Sequence, residues 1–99
     1  MAKGYLVAHI DVADAEGYRD YIAGTTAAVA RFGGRFLVRG GACDEREGKL
    51  RARHAIIEFP DLGTAQAFYD SVEYRRLIQI RQRHADTDLV LIEGVEDDS

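Results

Sequence analysis

The stretch 33-GGRFLVRGG-41 sets two glycine pairs around the five residues Arg35 to Arg39, and its reading decides the fold. Phe36, Leu37 and Val38 suit a pleated strand, and glycine pairs punctuate elements, so the five residues read as a short strand. Under strict alternation Arg35, Leu37 and Arg39 share one face of that strand. The first glycine pair is helix punctuation and not a phosphate loop, since no Lys followed by Ser or Thr comes after it.

Upstream, Tyr18, Tyr21, Ile22, Thr25, Val29 and Phe32 recur at helical spacing and form one stripe, with Asp14 as N-cap and Gly33-Gly34 as the stop. Before that helix, 3-KGYLVAHIDV-12 reads as a strand ending at the turn residues of ADAEG. Downstream, the polar loop 43-CDEREGK-49 leads into a strand, 50-LRARHAIIEF-59, stopped by Pro60-Asp61. A helical face follows, with Leu62, Ala65, Phe68, Tyr69 and Val72. Asp70 and Glu73 form a restart resembling a capping box, and the restarted helix places Tyr74, Leu77, Ile78 and Arg81 on one side. The last strand is 87-TDLVLIEGV-95. The order βαββαβ predicts an α+β, ferredoxin-like domain with a four-stranded antiparallel sheet.

The 99 residues, 46% hydrophobic and 30% charged, suit one globular domain over 1–99 with an acidic tail at about 95–99. No apolar run reaches the roughly 20 residues of a membrane helix, so no membrane partner is expected. The N-terminal stretch meets His9 and Asp11 too soon for a signal peptide, and the single Cys43 closes no intrachain disulfide; together they predict a cytoplasmic location. A net charge of -4 argues against nucleic acid, and the arginines of 74-YRRLIQIRQRH-84 read as a solvated helix face.

Helices cover one face of such a sheet, and the other should alternate to polar residues if it meets water. It does not. Leu6, Ala8, Ile10 and Val12 stand against Tyr5 and Val7, Ile56 stands against Ala55, Ile57 and Phe59, and Leu89 and Leu91 stand against Val90 and Ile92. A sheet apolar on both faces predicts a homodimer with two-fold symmetry, stacked sheet to sheet.

In their order and spacing, GY at 4–5, YRDYI, GGRFLVRGG, IIEFP, AFYDSVEYRRLIQIR and DLVLIEG resemble the domain-of-unknown-function 1330 family, over nearly the whole chain from Gly4 to Gly94. The resemblance implies a dimeric α+β barrel and no established reaction; the fold's relatives span cofactor-independent monooxygenases, haem-degrading enzymes and lactone isomerases. Haem-degrading relatives resemble one another in an Asn, a Trp and a His about the haem. This chain has no Asn or Trp and sets LIQI, 77–80, where the His would fall, so that chemistry is not expected and no cofactor is implied.

Arg35, on an edge strand, reads as a guard against strand-to-strand association. Arg39 sits beside Gly40-Gly41, where a ligand can approach; it either forks onto a carboxylate or enolate oxygen or pairs with Glu58 or an acid of the partner. With Tyr74 and Arg81 it would form a ligand-binding set for a small anion such as a carboxylate, although Tyr74 also reads as core and Arg81 as reaching for solvent. His9 is a candidate general base, or a satisfied interface residue. Glu58 is either ion-paired or a carboxyl raised toward proton acceptance. The histidines show no metal-binding spacing, and Cys43 lies among acids, against a nucleophilic role. The functional expectation is therefore a small homodimer that binds an anionic or enolisable molecule in a sheet-helix crevice, with or without cofactor-free chemistry; the alternative is a non-catalytic binding or stress-related module.

Overall fold

Every second residue of β1, Gly4–Val12, turns toward one side: Gly4, Leu6, Ala8 and Ile10 are buried, while Tyr5, Val7 and His9 between them are half-buried. That alternation fixes the sheet. In the computed structural model, which describes residues 1–96, β1 lies between β3, Arg53–Phe59, and β4, Ala85–Glu93, and β2, Arg35–Arg39, forms the outer edge beyond β3. All neighbours are antiparallel, in the order β2-β3-β1-β4. Of the acidic tail, residues 97–99 lie outside the described residues.

The helices α1, Ala15–Arg31, α2, Leu62–Asp70, and α3, Val72–His84, pack on one face only. Asp14 caps α1 as the sequence indicates, accepting from the Glu16 and Gly17 amides at 3.1 and 3.2 Å. Gly33, at φ +70°, turns the chain out of the helix in a conformation that a Cβ would oppose. The restart differs in detail from the sequence reading. Ser71, not Asp70, caps α3 by accepting from the Tyr74 amide at 3.1 Å, and Glu73 reaches across to the Arg31 guanidinium. A short serine hydroxyl turns back onto its own helix end, whereas Asp70 is still inside α2.

A second difference concerns β2. Phe36 pairs with Ile57 and Val38 with Ile56, so Leu37 is an extra residue in a β-bulge. One inserted residue reverses the facing of all that follows. Arg35, paired with Glu58, stays on the open face, while Arg39, paired with Ala55, points to the helix side. The two arginines therefore do not share a face.

The core is aromatic where α2 meets the sheet. Phe68 is fully buried, with ring centroids 5.0 Å from Phe59, 5.8 Å from Phe32 and 4.4 Å from Tyr74. Phe68→Ala removes the ring that joins α1, α2, α3 and β3, and it is expected to cost about 3–5 kcal/mol in urea unfolding; a loss below 1 kcal/mol would mean the ring does not tie these elements together.

Candidate functional site

Between α1 and the sheet lies a small cleft open to solvent, with an interior volume of about 30 Å³. Its floor is apolar, from Leu6, Ala8 and Ile10 of β1 and Ala55 and Ile57 of β3. Its polar groups come from two sides: Tyr18, Tyr21 and Thr25 from successive turns of α1, and Arg39 and Arg53 from β2 and β3. Helical spacing at three and four residues aligns the α1 groups over the cleft.

Arg39 lies over the Phe36 ring, 4.2 Å from its centroid, and donates to the Ile22 carbonyl at 3.2 Å and to Thr26 Oγ1 at 2.6 Å. Arg53 shares the parity of Ala55 and Ile57, so it points the same way as the core residues of its strand. Its side chain crosses Gly40, where any Cβ would collide with the guanidinium, and approaches Tyr18 to 5.9 Å from the ring centroid. Gly40 stands at φ +66° and donates its amide to the His54 carbonyl at 2.8 Å, so its shape serves both the strand end and the arginine. The Arg53 Nε is buried without a hydrogen-bond partner among the described residues.

Behind Tyr21 runs a buried chain of polar groups. Arg81, only 5% exposed, donates from Nη1 to Tyr74 Oη at 2.9 Å, and Tyr74 Oη lies 2.5 Å from Tyr21 Oη. Burial, with Tyr21 close by, pushes the Tyr74 phenol far above its ordinary value, and burial likewise raises Tyr18. Burial works against the Arg81 charge, yet the neighbouring Tyr74 and Tyr21 oxygens more than offset it. The Tyr74 and Tyr18 phenols thus stay protonated at neutral pH. Arg81 does not reach for solvent as its place on the helix suggested, because the tyrosine hydroxyls give its head partners inside.

The residues expected to hold a ligand are therefore only partly gathered. Tyr74 and Arg81 are together but sealed behind Tyr21, and Arg39 stands at the cleft itself. Arg53, Tyr18, Tyr21 and Thr25 were not singled out from the sequence as binding groups. Arg53 was detectable, since an arginine in phase with Ala55, Ile57 and Phe59 is a charge on the core side of a strand. The tyrosines were visible only as a helical stripe, which core aromatics produce equally well.

The two expected proton acceptors lie on the other side of the sheet. His9 faces His54 across β1 and β3, with Nδ1 atoms 2.8 Å apart. Glu58 accepts from Arg35 at 3.0 Å and from Tyr5 at 3.2 Å, and its side chain is 16% exposed. The Arg35 hydrogen bond first, and that of Tyr5, hold the Glu58 carboxyl below the ordinary carboxylate range against the opposing effect of burial. This is the reverse of a raised proton acceptor, and Arg35 rather than Arg39 is the ion-pair partner. Among the described residues no cluster of three or more His, Cys, Asp or Glu is placed to hold a metal ion, and no helix is long and apolar enough to cross a membrane.

Residues 3–95 match the family described as a domain of unknown function, DUF1330. The chain belongs to that family. This DUF1330 chain is similar in fold to a protein of unknown function from Rhodopseudomonas palustris, with TM-score 0.71 and 16% identity over 96% of this chain and 84% of that one. A dimeric ferredoxin-like protein of unknown function from Thermobifida fusca matches with TM-score 0.63 and 14% identity, over 95% and 92% of the two chains. SnoaB, a cofactor-independent oxygenase from Streptomyces nogalater, matches with TM-score 0.63 and 14% identity, over 97% and 96%. At these identities the likeness establishes the ferredoxin-like fold. No curated protein matches the DUF1330 chain.

Because the Glu58 carboxyl is lowered in the folded protein, its pairing with Arg35 stabilises the fold fully above the ordinary glutamate range and ceases to do so as pH falls through the lowered value. Carboxyl NMR titration should show Glu58 below the ordinary range and moving upward in Arg35→Ala. An ordinary value in the unaltered protein would mean the pair does not hold in solution.

Proposed function

We propose that this protein is a homodimer that binds a small organic anion in the cleft between α1 and the sheet. One observation carries the ligand class: Arg39 and Arg53 at the cleft and Arg81 behind it have no carboxylate within ion-pair reach among the described residues. Arg31, Arg35, Arg46 and Arg51 by contrast each find an acid, and the other arginines without one, Arg19, Arg75, Arg76 and Arg83, are exposed on the helices. Positive charge collected over an apolar floor and left uncompensated favours a compact anion with an apolar body. A carboxylate meets the guanidiniums at the mouth, and its hydrocarbon part lies against Leu6, Ala8 and Ile57. The lining offers guanidinium, phenol and hydroxyl groups, which bind and polarise an oxygen; the imidazole and carboxylate candidates, His9 and Glu58, face away. That arrangement favours ligand holding over proton abstraction by either of them.

The dimer rests on the open face. Its centre is Val7, Ile56, Val38, Val90 and Ile92, with Val90 and Ile92 exposed by 50% and 52%. Polar clusters flank this apolar centre: Tyr5, Glu58 and Arg35 at one end, His9, His54 and the Asp11-Arg51-Asp88 group at the other. An apolar middle with a polar rim is the make-up of a subunit contact, and a second copy offers a surface of the same size and chemistry.

Light scattering at low micromolar concentration should give twice the chain mass, and Val7→Glu, at the centre of the face, should give a single chain that keeps its helical circular dichroism. A single-copy particle for the unaltered protein would end the dimer reading. In a thermal-shift series of small aliphatic and aromatic carboxylates, benzoate among them, at least one should raise the melting temperature, with its affinity reduced about ten-fold in Arg53→Gln. If none does, or if Arg53→Gln changes nothing, the anion reading falls.

A further inference from the structure

The buried chain of hydroxyls behind the cleft has a direction, and the direction follows from which groups can donate. A guanidinium has no acceptor, so Arg81 can only give a proton to the hydrogen bond it makes with Tyr74 Oη. Tyr74 is fully buried, and its hydroxyl has two hydrogen-bond partners among the described residues, Arg81 and Tyr21. Were Tyr21 to donate to Tyr74 as well, the Tyr74 proton would be left in the interior with no acceptor, at a cost that buried hydroxyls do not ordinarily bear. The satisfied arrangement therefore runs outward: Arg81 donates to Tyr74, and Tyr74 donates to Tyr21. The proton of Tyr21 is then left over. Tyr21 lines the cleft, and the other group beside its hydroxyl among the described residues, Arg81, can only donate to it and so cannot take that proton.

We infer that Tyr21 is a preset hydrogen-bond donor to a carbonyl or enolate oxygen on the bound molecule, so that the ligand is an organic acid carrying a second oxygen acceptor. This rests on the anion reading above and narrows it. The acid group meets Arg39 and Arg53, while the second oxygen meets Tyr21. Tyr21 polarises that oxygen with unusual force, because its own oxygen accepts from Tyr74, which in turn accepts from a full positive charge held away from water. Each bond in such a chain strengthens the next. Negative charge on the ligand oxygen is thereby coupled to Arg81 through two phenols, neither of which need ionise. Tyr21 is the residue in contact with the ligand; Tyr74 and Arg81 are positioning residues that set the direction of its proton. The buried Arg81 Nε has no hydrogen-bond partner among the described residues.

The test uses two isosteric probes, 4-acetylbenzoate and 4-isopropenylbenzoate, which share the acid and the shape and differ only in C=O against C=CH2. Calorimetric titration of the intact protein should show about ten-fold tighter binding of the acetyl compound. Tyr21→Phe should bring the two to equal affinity without weakening the isopropenyl compound. The infrared C=O stretch of carbonyl-13C 4-acetylbenzoate should fall on binding, fall less in Tyr74→Phe, and not fall in Tyr21→Phe; a purely structural role for these hydroxyls would not move that band. Equal affinity of the two probes for the unaltered protein, or a preference that survives Tyr21→Phe, overturns the inference while leaving the anion reading in place. Binding of neither probe where benzoate binds also overturns it alone; if no carboxylate binds, the anion reading fails first. The wild-type comparison of the two probes decides the matter even if a variant fails to fold.

Discussion

In a sheet with helices on one side only, each side chain is committed to one of two environments by nothing more than its position along the strand, and a single added residue exchanges them. Leu37 is that residue here. Without the bulge Arg35, Leu37 and Arg39 would point the same way; with it, Arg35 neutralises Glu58 on the open face and Arg39 is released to the helix side. The consequences reach further than β2. An arginine on the open face can be met by Glu58, which the pairing of β2 with β3 sets directly opposite Arg35. An arginine on the helix side meets α1, whose facing residues Tyr18, Tyr21, Ile22 and Thr25 bear no charge, and so remains uncompensated. The bulge is thus the point at which a structural ion pair and a cation at the cleft part company.

Most of the architecture was legible because it depends on periodicity. The period of two in β1 and β3, the period of 3.6 in α1, and the glycines after α1 are each repeated or reinforced by a neighbour, so that no one residue decides them. The two apolar strand faces were equally plain, and they carry the expectation of a partner subunit. The bulge was not legible, because 35-RFLVR-39 reads as an unbroken strand and only the pairing with β3 reveals the extra residue. The misplaced cap had a similar origin. Asp70 and Ser71 are both good caps, and which of them lies outside the helix depends on where α2 ends against the core.

The site was legible by residue type and not by geometry. Arg39, Tyr74 and Arg81 are all on the helix side of the sheet, but alternation along a strand and a helix face do not say how deep a side chain goes. Arg81 in particular was read as a side chain that would carry its charge outward. Taking a guanidinium out of water costs several kcal/mol unless its donors are met. A helix face that also carries Tyr74, packed against Tyr21 of α1, meets part of that cost, and this pairing between helices cannot be seen in either helix alone. His9 and Glu58 attracted attention for the opposite reason: their chemistry was suggestive, while their parity along the strand already put them on the side away from the helices.

The choice of tyrosine around the cleft has its own logic. A carboxylate at Tyr18 or Tyr21 would close onto Arg53 or Arg81 and leave a filled, neutral interior. A phenol whose ionisation is pushed up by burial, as for Tyr18 and Tyr74, donates a hydrogen bond without cancelling any positive charge. The chain carries a net charge of -4, and several of its acids, Asp11, Asp88, Glu58 and Glu73 among them, are engaged with Arg51, Arg35 and Arg31 away from the cleft. An acidic exterior tends to repel anions at long range, and over about 8 Å that repulsion is screened at physiological salt. What the proposed anion would meet on arrival is then the local field of Arg39 and Arg53, with Arg81 behind two hydroxyls. The proposed preference for an anion would rest on that separation of charge by depth and by sheet face, and it would require no excess of basic residues in the chain as a whole.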